Sequence, residues 1–212
     1  MSKFKNDDIG EVVTIKLPKS VSNLQLPDPE VVDYWRLEED RIFYLDREID
    51  ESTLSIQKNI LYYNYVDQGV SVDKRKPIII MIDSIGGQLT EAMSVAATIR
   101  LSKTPVYTVN IGEADSGAAL ILASGSKRFA LPYSTALIHS GSGELVGTAE
   151  QVESQQKIYK KQVVQMREYM SICGVNKVAL NRNKNKEWYM TVEDQIKYGV
   201  VDKMLEDFDE IL

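Results

Sequence analysis

Cysteine and histidine are almost missing from this 212-residue chain, which contains one of each. The single cysteine, Cys173, leaves no partner for an intrachain disulfide and no cysteine-rich metal site. It also fits a reducing compartment. The single histidine, His139, excludes any multi-histidine metal centre. It must serve wherever an imidazole base is needed. Basic residues fall short as well, with 25 Lys and Arg against 31 Asp and Glu and a formal net charge of -6. A phosphate-binding face needs clustered cations, and the densest run, Lys74-Arg75-Lys76, is short and abuts Pro77, so it reads as a solvated loop. Nucleic acid is therefore not an expected partner. No run approaches the ~18 apolar residues of a membrane span, and Met1–Asp8 lacks the apolar core of a signal peptide. The expectation is a soluble, cytoplasmic protein with no membrane partner, no metal and no cofactor.

What is present is ordinary globular composition, 43% hydrophobic and 26% charged, enough for one domain with a sizeable core. Residues 1–35 read as an N-terminal arm, in which Val12–Ile15 is the only strand-like run and Pro18, Pro27 and Pro29 interrupt regular structure. From residue 36 to about 207 the chain alternates strand and helix signals. Strands are expected at Arg41–Leu45, Ile78–Ile82, Val106–Ile111, Phe129–Leu131 and Ala136–Ile138. Helices are expected at about Asp50–Asp67, Gln88–Leu101, Gly117–Ala123, Thr148–Ile172 and Thr191–Tyr198. Ile78–Ile82 is apolar without alternation, as a strand covered on both faces requires. Short loops between alternating elements point to an α/β fold with right-handed crossovers. Thr148–Ile172 carries a stripe of Val152, Tyr159, Val163, Met166 and Met170 and ends at Gly174, a cap signal. Residues 208–212 form a tail.

Two residues stand where chemistry is feasible. Ser116 follows a strand and opens a helix, where unpaired amides favour negative charge. Small neighbours at Gly112, Ala114, Gly117 and Ala118 leave room for a substrate carbonyl. The same position suits a serine that merely caps the helix. His139 ends a strand beside a glycine-rich loop, a placement shared by catalytic and by ordinary surface histidines. Gly86-Gly87, between a buried strand and a helix, can present a backbone amide to an oxyanion.

In order, Asp83-Ser84-Ile85-Gly86-Gly87, Gly112-Glu113-Ala114-Asp115-Ser116-Gly117-Ala118, Lys127–Pro132, Leu137-Ile138-His139, Lys186–Thr191 and Tyr198–Asp202 resemble successive motifs of the Clp protease proteolytic-subunit family. The resemblance covers about Arg36–Leu205. It implies the ClpP/crotonase-like spiral of βαβ units with a projecting handle helix, the handle region spanning about 140–173. It also implies a Ser-His-acid triad with Ser116 as nucleophile, His139 as general base and Glu187 as the acid, where the family has Asp. Asn183 and Asn185 are neighbouring alternatives, and Asp115 is expected to face the wrong way. The amides of Gly87 and Gly117 would form the oxyanion hole.

The implied function is serine endopeptidase activity on peptides or unfolded proteins. It would take place inside a homo-oligomer of stacked rings, with an AAA+ ATPase or a paralogous subunit as further partner. Three departures stand out: Gly117 for Met, Ile85 for Pro and Asp115 for Ala. Residues 1–35 do not resemble the family's ATPase-docking segment. Two alternatives remain, a silent ring subunit paired with an active paralogue and a crotonase-type acyl-CoA enzyme.

Overall fold

The computed structural model describes residues 29–212, and the strand expected at Val12–Ile15 lies outside them. Arg36–Leu212 forms one compact unit. The first described element is helix α1, Pro29–Glu39. Pro29, read from sequence as a breaker, is its first residue, where a missing N–H costs nothing and the fixed φ suits the helix.

A seven-stranded sheet forms the centre of the larger unit. Strands β1 (Ile42–Leu45), β2 (Ile78–Ser84), β3 (Val106–Asp115), β4 (Lys127–Ala130) and β7 (Lys203–Met204) run in that spatial order, all parallel. Strand β3 is longer than its apolar run suggested, because Gly112–Asp115 continues the strand instead of turning. That length lets it serve two neighbours. Tyr107–Asn110 pair with β4, and Glu113–Asp115 pair with β5 (Thr135–Ile138). Strand β6 (Trp188–Met190) then adds antiparallel to β5. On the other side the β2–β3 register shifts between Ile82 and Ser84. The Asp83 carboxylate fills this irregularity by accepting from Glu113 N–H at 3.0 Å. A Cβ at Gly112 would lie 2.4 Å from that oxygen, so a larger residue there would have to displace the Asp83 carboxylate.

The pleat of β2 explains its unbroken apolar run. Ile78, Ile80 and Ile82 pack into the larger core, and Ile79 and Met81 into a second core on the opposite face. Helices α2 (Leu54–Val66), α3 (Leu89–Leu101) and α4 (Gly117–Ala123) contribute to the larger core. All seven residues of α4 are buried. In α2 the buried positions are Ile56 and Ile60, whereas Leu61 and Tyr65 are exposed.

Helix α5, Ala149–Ile172, starts with a capping box between Thr148 and Gln151. It ends at Gly174, φ +106°, with Val175 N–H on Met170 O and Gly174 N–H on Ser171 O, a Schellman closure. Its buried residues, Val163, Met166 and Met170, all lie in the second half. Short helices α6 (Lys177–Arg182) and α7 (Val192–Lys197) complete the unit. Arg128 donates to Cys173 O and Gly199 O, both at 2.8 Å, and pairs with Asp202. It thus binds the carbonyl ends of α5 and α7 to β4.

Candidate active site

The site lies at the carboxyl ends of the parallel strands, where open α/β sheets leave a crevice. Ser116 follows β3 with φ 55° and ψ −115°, a conformation that costs a non-glycine residue of order 1–3 kcal/mol. Its backbone is held from two sides. Ser116 N–H donates to Leu137 O at 2.7 Å, and Leu120 N–H donates to Ser116 O at 3.4 Å. The side chain makes no capping bond to α4. Instead Oγ lies 2.8 Å from His139 Nε2. The helix-cap alternative is thereby excluded, because the hydroxyl is spent on the imidazole.

The Gly86-Gly87 turn packs against the start of α4. Gly86 has φ +89° and Gly87 φ +149°. A Cβ at Gly86 would sit 2.5 Å from Asp115 O and 2.8 Å from Ser116 Cβ. A Cβ at Gly87 would sit 2.3 Å from Ile49 O. Both positions therefore need glycine for conformation and for space. Gly117 is forced too: its Cβ would meet Ala92 Cβ at 2.9 Å and lie 4.0 Å from Gly87 N. The nitrogens of Gly87 and Gly117 therefore lie close together at the mouth of the same turn.

Glu187 has the right register but the wrong partner. The β5–β6 pairs Ala136/Met190, Leu137/Tyr189 and Ile138/Trp188 stop one step short of bringing His139 opposite Glu187. The Glu187 carboxylate is exposed and accepts from Tyr189 Oη at 3.4 Å, and its charge holds the Tyr189 hydroxyl above its ordinary pKa. Asn183 Nδ2 donates to Ala179 O, and Asn185 is exposed. Among the described residues, no hydrogen bond to His139 Nδ1 is recorded.

Asp115 sits opposite Leu137, two residues before His139. Its Oδ1 is buried and has no hydrogen-bond partner among the described residues. Burial is the main cause that raises its pKa, Glu113 adds to the rise, and His139 opposes it. Among the described residues no hydrogen bond joins Asp115 to His139.

Ser116 and His139 open onto a cleft of about 610 Å³, walled by Leu89, Tyr159, Val163 and Met166. Tyr159 Oη donates to Ser140 O at 3.1 Å, and Ser140 Oγ donates to Lys184 O, so the loop after His139 is tied to α5 and to the segment before β6. A family model described as Clp protease matches residues 29–208. The chain belongs to the Clp protease family. The relatives it resembles include ATP-dependent Clp protease proteolytic subunit 2 of Chlamydia abortus, 32% identical over 81% of this chain and 83% of that protein. Subunit 1 of Chlamydia felis is 32% identical over 81% and 84%. Subunit 3 of a Synechococcus is 29% identical over 81% and 86%. The Clp protease family is one of serine-type peptidases with an α/β fold, and this chain is a member with both properties.

Motif order located Ser116, His139 and the glycine turn. It missed Asp83, whose role depends on an irregularity in β2, and Tyr159, which reaches the site from a distant helix. Neither carries a local sequence signal.

Proposed function

We propose that this chain is a self-compartmentalising serine endopeptidase in which Ser116 is the nucleophile and His139 the general base. The observation that carries this reading is the 2.8 Å contact between Ser116 Oγ and His139 Nε2 on a strained turn. Oγ attacks the carbonyl of the scissile peptide bond while its proton passes to Nε2. The amides of Gly87 and Gly117 stabilise the oxyanion, each donor contributing roughly 10²–10³ in rate. His139 then protonates the departing amine, and the acyl-serine is hydrolysed by a water that His139 deprotonates. Glu187, across from His139 in register, is the acid that holds the imidazole once its carboxylate leaves Tyr189. Asp115, with its unpartnered buried oxygen, is the competitor for that role.

Peptides and unfolded proteins are the substrates, and stacked homo-oligomeric rings in the cytoplasm restrict access. An AAA+ unfoldase or a paralogous subunit is the partner. The projecting first half of α5, with Ile158 exposed, supports the ring contact.

A second reading, a silent ring subunit, is favoured by the missing partner on His139 Nδ1. Hydrolysis of a fluorogenic peptide by the purified, assembled protein separates the two. The active reading expects turnover that falls by about 10⁶ in Ser116→Ala and in His139→Ala. Turnover seen only after adding an active paralogue supports the silent subunit. Peptide hydrolysis that survives Ser116→Ala contradicts the active reading, and turnover of an acyl-CoA by that variant points to acyl-CoA chemistry.

A further inference from the structure

His139 stands where the sheet stops supporting it. Strand β5 ends at Ile138, opposite Trp188, so His139 is the first residue past the ladder. Among the described residues its side chain has one hydrogen-bond contact, Nε2 with Ser116 Oγ at 2.8 Å. That contact is the one the reaction breaks and remakes, so it cannot also hold the imidazole in place. A second support is needed, because displacing a catalytic group by about 1 Å can cost 10² in rate.

Two bonds grip the next residue. Tyr159 Oη, reaching across from α5, donates to Ser140 O at 3.1 Å, and Ser140 Oγ donates to Lys184 O. The tyrosine also comes close to the residue after that. Gly141 has φ +80°, and a Cβ there would collide with Tyr159 Oη. The hydroxyl is therefore packed on the backbone of Ser140 and Gly141. A phenylalanine would fill the same wall of the cleft but has nothing to donate to Ser140 O. Burial raises the Tyr159 pKa above its ordinary value, so the hydroxyl keeps its proton well past neutral pH.

We infer that Tyr159 is a positioning residue for peptide hydrolysis: through Ser140 O, its hydroxyl fixes the backbone that carries His139. This inference rests on the peptidase reading above. Tyr159 exchanges no proton with the substrate and acts only through His139. Its ring also lines the cleft, so this role must be separated from contact with substrate. The two fall on different constants. A misplaced base lowers kcat, whereas a lost ground-state contact raises KM.

The test is Tyr159→Phe, which removes one oxygen and leaves the ring, in the full-length assembled protein. On a fluorogenic peptide kcat is expected to fall about ten- to a hundredfold. KM should stay within about twofold and the melting temperature within a few degrees of wild type. Fluorophosphonate labelling of Ser116 should slow in proportion, because it depends on the same base. Gly141→Ala, whose methyl group would push the hydroxyl off Ser140 O, should lower kcat too. The double variant should then lose less than the product of the two single losses. An unchanged kcat in Tyr159→Phe, or a loss confined to KM, overturns the inference. A kcat loss matched by a large drop in melting temperature overturns it as well, and so do single losses that multiply in full. Wild-type protein labelled at Ser116 no faster than Tyr159→Phe overturns this inference alone and leaves the peptidase reading standing. Wild-type protein that takes no label at Ser116 overturns both.

Discussion

At the scale of single residues, the site consists of one side-chain contact surrounded by glycines that cannot be replaced. Gly86→Ala places a methyl group 2.5 Å from Asp115 O and 2.8 Å from Ser116 Cβ, on a φ of +89°. Backbone must move to admit it, so peptide hydrolysis is expected to fall at least a hundredfold, the usual cost of displacing a catalytic group by about 1 Å. Steady-state kinetics beside a thermal melt will show whether stability falls less than activity. The two candidate acids separate by substitution. If Glu187 orients His139, Glu187→Gln lowers kcat by about 10⁴ and Asp115→Asn changes little. If Asp115 holds the imidazole, the outcomes exchange. The sequence made His139 legible because no other histidine competes with it, and Ser116 because a strand, a turn and small residues surround it.

At the scale of elements, apolar runs located most helices and strands, and what they missed has identifiable causes. Helix α1 was hidden by Pro29, which reads as a breaker until it is known to stand first. Strand β6 has three residues and exists only because β5 offers an edge. The elements are also pinned by buried polar contacts. Arg41, at the start of β1, makes a bidentate pair with Asp67 at the end of α2, at 2.7 and 2.8 Å. Thr104 Oγ1 adds a 2.8 Å bond to the same carboxylate. Removing one partner strands the other, so Asp67→Ala is expected to cost about 3–5 kcal/mol in denaturant unfolding. Arg41, chiefly through its hydrogen bonds, holds the Asp67 carboxyl below its ordinary pKa. Its contribution is therefore complete above the unfolded value of about 4 and is lost as pH falls through the lower folded value. Wild-type stability should drop through that acid window, and Asp67→Ala should show a smaller drop. Equal drops in the two proteins would mean that the pair is not the source.

At the scale of the whole molecule, the fold places the Ser116–His139 contact, a glycine turn and a cleft at one end of a parallel sheet. The α/β class was legible from alternating elements, and the family from six motifs in register. The proposed assembly of copies is not written in any local pattern. The first half of α5 buries none of its residues within the subunit, and assembly should cover part of it. Charged substitution of Ile158, 56% exposed here, is expected to shift native mass spectrometry toward smaller assemblies while leaving the subunit's melting temperature within a few degrees of wild type. The most direct test of the central claim is fluorophosphonate labelling of the assembled protein, with the adduct mapped by mass spectrometry and Ser116→Ala as control. A single adduct on Ser116 that disappears in the variant is the expected result. Assembled protein that stays unlabelled, or carries its adduct on another residue, would contradict the account.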